Sequence, residues 1–187
     1  MVWFEPKAGT KSAKIWLFLI SFTESFFFPI PADPFMAIVI LVQRDRWLYF
    51  VTLVTIASVL GGLGGYVIGA VLYDLIGRPI IDFYDLHEEF VKVNTLFDRY
   101  AFWAIFTAAF TPIPYKIFTI AAGVANLNLF IFTIASIFGR GIRFFIVGII
   151  VKKFGKQFYE TFLKYFDTAT VVILVAVIIY LIFRIVV

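Results

Sequence analysis

Four runs of this chain, residues 15–28, 47–72, 127–151 and 171–187, are too apolar to have water as their solvent. The hydrocarbon core of a bilayer is about 30 Å thick, and about 20 apolar residues cross it as an α-helix. Of 187 residues, 63% are hydrophobic, 20% aromatic and 15% charged; a soluble domain carries about 25% charged residues. The chain is therefore expected to be one integral membrane domain over 1–187, because its polar segments are too short to fold alone.

The absence of cysteine excludes disulfides, thiolate metal sites and cysteine nucleophiles. The one histidine, His87, lies in the most polar stretch, so a Ser-His-Asp triad is not expected. Neither is a metal or any other cofactor, since zinc or di-iron sites need several imidazole, thiolate or clustered carboxylate ligands. The net charge of +4 comes from scattered basic residues without a continuous patch, so nucleic acid is not an expected partner. Lys7, Lys11 and Lys14 precede an apolar run in the manner of a signal sequence, but no small-residue cleavage site follows, and the segment is expected to be retained.

A short motif recurs. Phe28-Pro29-Ile30-Pro31-Ala32-Asp33-Pro34-Phe35 aligns with Thr111-Pro112-Ile113-Pro114-Tyr115-Lys116-Ile117-Phe118 at an offset of 83, and Ala57-Ser58-Val59-Leu60-Gly61 with Ala135-Ser136-Ile137-Phe138-Gly139 at 78. The pattern reads as two copies of one unit: an apolar helix, a Pro-x-Pro break, a shorter helix, a polar loop and a long Gly-containing helix. No helix passes undisturbed through such a break, because each proline removes a donor and restricts the residue before it. The arms over 15–28 and 34–42 reach roughly 20 and 13 Å as helix, short of the 30 Å core. Each motif, with Pro29, Pro31 and Pro34 or with Pro112 and Pro114, therefore reads as the tip of a re-entrant hairpin. Backbone freed there must face protein or a wet cavity. Gly123 would let the second hairpin approach its neighbours closely.

Loop charges orient this arrangement. If the hairpins return to their own sides and the helices near 47–73, 127–151 and 168–187 cross, one side carries Lys7, Lys11, Lys14, Arg44, Arg46, Lys152, Lys153, Lys156 and Lys164. The other carries only Arg78, Lys92 and Arg99, beside six acids. The asymmetry places the N-terminus in the cytoplasm and the C-terminus outside, in the inner or plasma membrane. The hairpins then enter from opposite faces, as in transporters with inverted repeats; the alternative, in which both hairpin arms cross fully, keeps the same loop sides and is opposed by arm length alone. The expected fold is an all-α polytopic membrane protein. It has two inverted repeats, about 13–73 and 100–152, each a re-entrant Pro-broken hairpin followed by a transmembrane helix. An amphipathic outer-surface segment covers about 78–99, and a C-terminal transmembrane helix about 168–187.

Glu24, Asp33, Lys116, Arg140 and Arg143 remain inside apolar segments. Unpaired and facing lipid, five such charges would cost on the order of 12 to 18 kcal/mol. Arg140 is 12 residues from both Asn128 and Lys152, near the middle of its helix, where it cannot snorkel to the surface. Arg140 and Arg143 share a helix face, and Asp33 and Lys116 occupy equivalent hairpin positions. Two acids against three bases leave a surplus positive charge for an anionic group, or form a structural ion-pair network.

The stretch from Phe110 through Pro112, Pro114 and Lys116 to Ala121-Ala122-Gly123, followed by Gly139-Arg140-Gly141-Ile142-Arg143-Phe144-Phe145, resembles the YqaA-like branch of the DedA family, also called the SNARE-associated or VTT domain. Glu24 and Pro29-Ile30-Pro31-Ala32-Asp33-Pro34-Phe35 resemble its first hairpin motif, and the likeness covers about 15–152. The resemblance implies two facing re-entrant hairpins plus transmembrane helices. It also implies transport of undecaprenyl phosphate or phospholipids between leaflets, with dependence on the proton-motive force, and scramblase-like activity as in eukaryotic VTT proteins. Many members carry an arginine three residues before the second hairpin's proline and another three after it; counted from Pro112, Ala109 and Tyr115 stand there.

The expected function is a flippase or scramblase-like lipid transporter whose partners are membrane lipids with a phosphate-bearing head group. Lys116, Arg140 and Arg143 are the expected phosphate ligands, and Glu24 and Asp33 the counter-charges, one of them exchanging a proton. A membrane enzyme acting on lipid phosphates and a non-transporting scaffold are the alternatives. The sequence leaves the oligomeric state open.

Overall fold

Helix boundaries follow local chemistry. Pro31 (φ −64°, ψ 132°) and Pro114 (φ −59°, ψ 96°) hold the residue ahead of a helix out of helical conformation, and neither position has a side chain to cap it. Pro34 falls in the following first turn, where a backbone N–H has no partner within the helix. The end of one helix and the start of the next are compressed into Asn126-Leu127-Asn128. Asn126 adopts φ 49°; its N–H donates to the Gly123 carbonyl (3.0 Å) and that of Leu127 to the Ala122 carbonyl (2.9 Å), a Schellman closure. Asn128 Oδ1 then accepts the N–H groups of Phe130 (2.9 Å) and Ile131 (3.2 Å).

The structure, a computed structural model, describes residues 12–25, 31–84, 87–111 and 114–155; among these there is no strand. Helix α1 is Ser12–Glu24, α2 Ala32–Val42, α3 Trp47–Leu72, α4 Arg78–Tyr84, α5 His87–Phe110 and α6 Tyr115–Val124. Helix α7 is Leu129–Gly155. A 3-10 turn, Arg44–Arg46, joins α2 to α3, and one π turn, Tyr73–Gly77, leads from α3 into α4. Helix α5 runs unbroken from the polar stretch into the apolar arm because no Gly or Pro interrupts it. Pro29, Pro112 and the expected helix over 168–187 lie outside the described residues.

Two helical stretches, Arg44–Leu75 and Leu129–Gly155, are long and apolar enough to cross a membrane. Of the hairpin helices, α2 and α6 are shorter, with 11 and 10 residues, and α5 has 24.

Hydrogen bonds fix the directions of the helices. The Ser21 hydroxyl donates to the Val54 carbonyl (2.9 Å) and Ser25 meets Ser58 (2.8 Å), so α1 and α3 run in the same direction. Gly139 abuts Phe106, and Arg143 donates to the Phe110 carbonyl, so α5 and α7 do likewise. One apolar core joins Ala13, Leu17 and Met36 to the first turns of α3 and to Phe144, Val147 and Val151. A second joins Tyr66 to Ile105, Tyr115 and, from the start of α7, Phe132 and Ala135. Helices α3 and α7 are therefore antiparallel, and the ends of α1 and α5 both reach the level between the two cores.

Contacts recur across the two halves. Gly148 faces Ile40, and Gly123 faces Ala70; the sequence offsets carry residue 40 to 123 and residue 70 to 148, which turns one pair into the other. At one end Lys14 Nζ lies 4.9 Å from the Tyr49 ring and Lys152 Nζ 5.1 Å from the Trp47 ring, bringing basic residues of α1 and α7 to the start of α3.

A Cβ on Gly123 would collide with the Tyr66 carbonyl and the Ala70 backbone nitrogen, both main-chain atoms that cannot swing aside. Gly123→Ala is therefore expected to destabilise the protein by about 1–3 kcal/mol, measured as a lower thermal unfolding midpoint in detergent.

Candidate functional site

Between the two apolar cores lies a polar layer built from the ends of the short helices and the middles of the long ones. Its acids come from the first hairpin. Asp33, in the first turn of α2, is 5% exposed, and Glu24 ends α1. Its arginines come from α7, where Arg140 and Arg143 are 5% and 9% exposed. Ser25, Ser58 and Ser136 are fully buried in the same layer.

The two acid–base pairs differ in kind. Arg143 Nη2 donates to Asp33 Oδ2 at 2.6 Å and its Nη1 to the Phe110 carbonyl at 3.2 Å. The guanidinium thereby fastens α2 and α7 to the last turn of α5 in charge-assisted hydrogen bonds. Arg140 Nη2 stands 3.7 Å from Glu24 Oε1, an ion pair without hydrogen-bond contact. The other Glu24 oxygen accepts the N–H of Ala32 at 3.3 Å, so the carboxylate reaches across the Pro break and caps α2 at its positive end.

Arg140 is held by its flanks instead. Its guanidinium carbon lies 4.4 Å from the centroid of the Tyr115 ring and 5.6 Å from that of Phe144. The Tyr115 hydroxyl donates to Ser136 Oγ at 2.6 Å, which fixes the ring beneath the guanidinium. Among the described residues Arg140 Nε and Asp33 Oδ1 are buried without a hydrogen-bond partner. Such groups carry a desolvation cost that a ligand or water can relieve.

Of the residues expected from the sequence, Glu24, Asp33, Arg140 and Arg143 come together. Lys116 sits in the first turn of α6, beside Tyr115; it is half-buried and makes no ion pair among the described residues. Asp33 takes Arg143 as its partner, from a position 110 residues away, and not its repeat counterpart Lys116. Pro31 and Pro114 stand at the mouths of α2 and α6 as expected. Sequence reasoning missed Tyr115, Ser25, Ser58 and Ser136 as members of the layer. A signal existed for two of them: Ser58 and Ser136 are the same position of the repeated Ala-Ser-x-x-Gly motif, and each meets a hydroxyl at the end of a hairpin.

The VTT domain, the domain of the DedA family, matches residues 30–153. This chain belongs to the VTT family. A protein of Haemophilus influenzae is 34% identical over 146 residues, covering 78% of this chain and 76% of its own. One from Histophilus somni is 30% identical over 178 residues, covering 95% and 93%. Both carry the name "uncharacterized protein". The undecaprenyl phosphate transporter A of Staphylococcus aureus is 25% identical over 134 residues, covering 67% and 66%. No solved structure matches the chain. Family membership, together with two helices long and apolar enough to cross a bilayer, makes this VTT chain a membrane protein.

The tight pair predicts strong coupling. Asp33→Ala or Arg143→Ala leaves an uncompensated buried charge and is expected to cost about 3–5 kcal/mol. The double variant should lose less than the sum of the two. Lys116→Ala should change stability by no more than about 0.5 kcal/mol. Unfolding midpoints of the parent and the four variants in one detergent check the set.

Proposed function

We propose that this VTT protein moves a phosphate-bearing lipid between leaflets, with the head group crossing through the polar layer while the tails stay in the bilayer. The observation that carries the reading is Arg140, a buried guanidinium with a loose acid partner and an unpartnered Nε. A phosphate oxygen pair fits the edge formed by Nε and one Nη of an arginine. Glu24 keeps its hydrogen bond to Ala32 when an anion takes the guanidinium, and its return toward Arg140 supplies the competition that releases the anion. Lys116, half-buried on the neighbouring helix, adds positive charge at the mouth of the site. Arg143 also contributes charge, although its geometry is that of a staple. Proton exchange on Glu24 or Asp33 is the proposed route to energy coupling.

The relative named an undecaprenyl phosphate transporter supports a polyprenyl phosphate or a phospholipid as the cargo, and transport over an enzymatic reaction. Re-entrant, inverted hairpins are part of the proposal. The shortness of α2 and α6, the meeting of the α1 and α5 ends in mid-bundle, and the exchange of residue pairs under the repeat offsets support them. The orientation in the inner or plasma membrane, N-terminus in the cytoplasm and C-terminus outside, is likewise part of the proposal, and Lys14, Arg44, Arg46, Lys152 and Lys153 near one end are its support. The scaffold reading has one observation in its favour, the 2.6 Å Asp33–Arg143 pair. It accounts for that pair and not for Arg140.

Leaflet exchange of labelled phosphatidylglycerol and undecaprenyl phosphate in proteoliposomes, with and without a proton gradient, tests the function. The parent is expected to exchange at least one of them. Arg140→Gln should slow exchange at least about tenfold, equivalent to about 1.4 kcal/mol, and Lys116→Ala should slow it less. Folded Arg140→Gln and Lys116→Ala proteins that transport as the parent does would remove the site.

A further inference from the structure

The outer side of α7 carries a feature that the polar layer does not use. A groove of about 510 Å³ runs between α3 and α7, from Leu48 to Leu63 along α3, walled by Ile137 and Phe145 and floored where Thr55 meets Gly141. Ile137, Gly141 and Phe145 are four residues apart and form one stripe of the helix. Arg140 and Arg143 face the interior beside it.

Gly141 is the unexplained residue of this stripe. A Cβ on Gly139 would come within 2.6 Å of the Ala109 Cβ and 2.8 Å of the Phe106 carbonyl oxygen, and one on Gly148 within 2.6 Å of Val51 Cγ2. Helix packing accounts for both. A Cβ on Gly141 would meet only Thr55 Cγ2, at 3.7 Å, an ordinary van der Waals distance. Glycine inside a helix is destabilising relative to alanine, and here no close approach of helices offsets it. What a larger side chain at 141 would occupy is the groove.

The chemistry of the walls selects the occupant. The hydroxyls of Thr52, Thr55 and Thr133 each bond the carbonyl four residues earlier in their own helix, at 3.0, 2.8 and 2.7 Å. Their donors are thus used, and the groove presents methyl and methylene surface. It is elongated as well, since Leu48 to Leu63 is about 22 Å of helix. Both walls belong to the helices long enough to cross a membrane, so the groove opens where lipid is the surrounding medium. Its floor at Thr55 and Gly141 lies level with Arg140, one residue away on α7.

We infer that this groove holds one hydrocarbon chain of the lipid whose head group binds in the polar layer, and that Gly141 keeps the passage open at that depth. The inference rests on the transport reading given above. Helix α7 then carries head-group ligands on its inner face and the chain track on its outer face, one residue apart.

Proteoliposomes of phosphatidylethanolamine and phosphatidylglycerol, doped with phosphatidylglycerol bearing a photoactivatable diazirine in its acyl chain, test it directly. The parent is expected to be labelled within residues 133–145, and Gly141→Leu to lose at least about fivefold of that label while keeping its thermal midpoint. Exchange should fall at least about tenfold in Gly141→Leu and by less in Gly141→Ala. Equal labelling of parent and Gly141→Leu at these residues overturns the groove assignment, as does a shift of oligomeric size in Gly141→Leu, which would give the groove to a second copy of the chain. A parent that is labelled there but exchanges neither lipid removes the transport reading and leaves the chain-binding groove standing.

Discussion

The structure depends on the requirement that charge buried among apolar helices be matched. Asp33 and Arg143 meet it at 2.6 Å across 110 residues of sequence, and in doing so they lock the first hairpin to the last long helix. Breaking such a pair leaves a bare charge in a medium that cannot solvate it, whereas the intact pair contributes little net stability beyond fixing the arrangement. The position of α2 relative to α7, and through the Phe110 carbonyl that of α5, is set by this contact.

With that staple in place the second arginine is left in a different condition. Arg140 is as buried as Asp33, yet its carboxylate stands off at 3.7 Å because Glu24 is also occupied in capping α2. One carboxylate therefore serves a helix terminus and a guanidinium at once and saturates neither. Tyr115, anchored on Ser136, orients the guanidinium without neutralising it. This division into a tight pair and a loose one is what distinguishes a polar layer able to receive an anion from one that only holds helices together.

The long helices complete the picture by doing two things on two faces. Inward, small residues let α3 and α7 receive the hairpins at backbone contact, as Gly123 against Tyr66 and Gly139 against Phe106 illustrate. Outward, the same helices leave an apolar groove whose hydroxyls are consumed by their own backbone. A lipid has the same duality, an anionic head and an apolar chain, and α7 presents a surface for each.

Much of this was written in the chain. Apolar runs specify helices in lipid, because their length and composition leave no other solvent. Pro31 and Pro114 specify where helices begin, and Asn126-Leu127-Asn128 where one ends and the next starts, because these effects act over a few residues of backbone. The sequence likewise singled out Glu24, Asp33, Arg140 and Arg143, since a charge in an apolar run has to be answered by something. It did not specify which acid answers which base. The repeat set Asp33 opposite Lys116, but the partner is Arg143, because the choice is made by the distance between atoms on α2 and α7 and not by equivalence along the chain. For the same reason the roles of Tyr115 and Ser136, and the idle space above Gly141, belong to the tertiary structure: each arises from the apposition of helices distant in sequence, which no local pattern encodes.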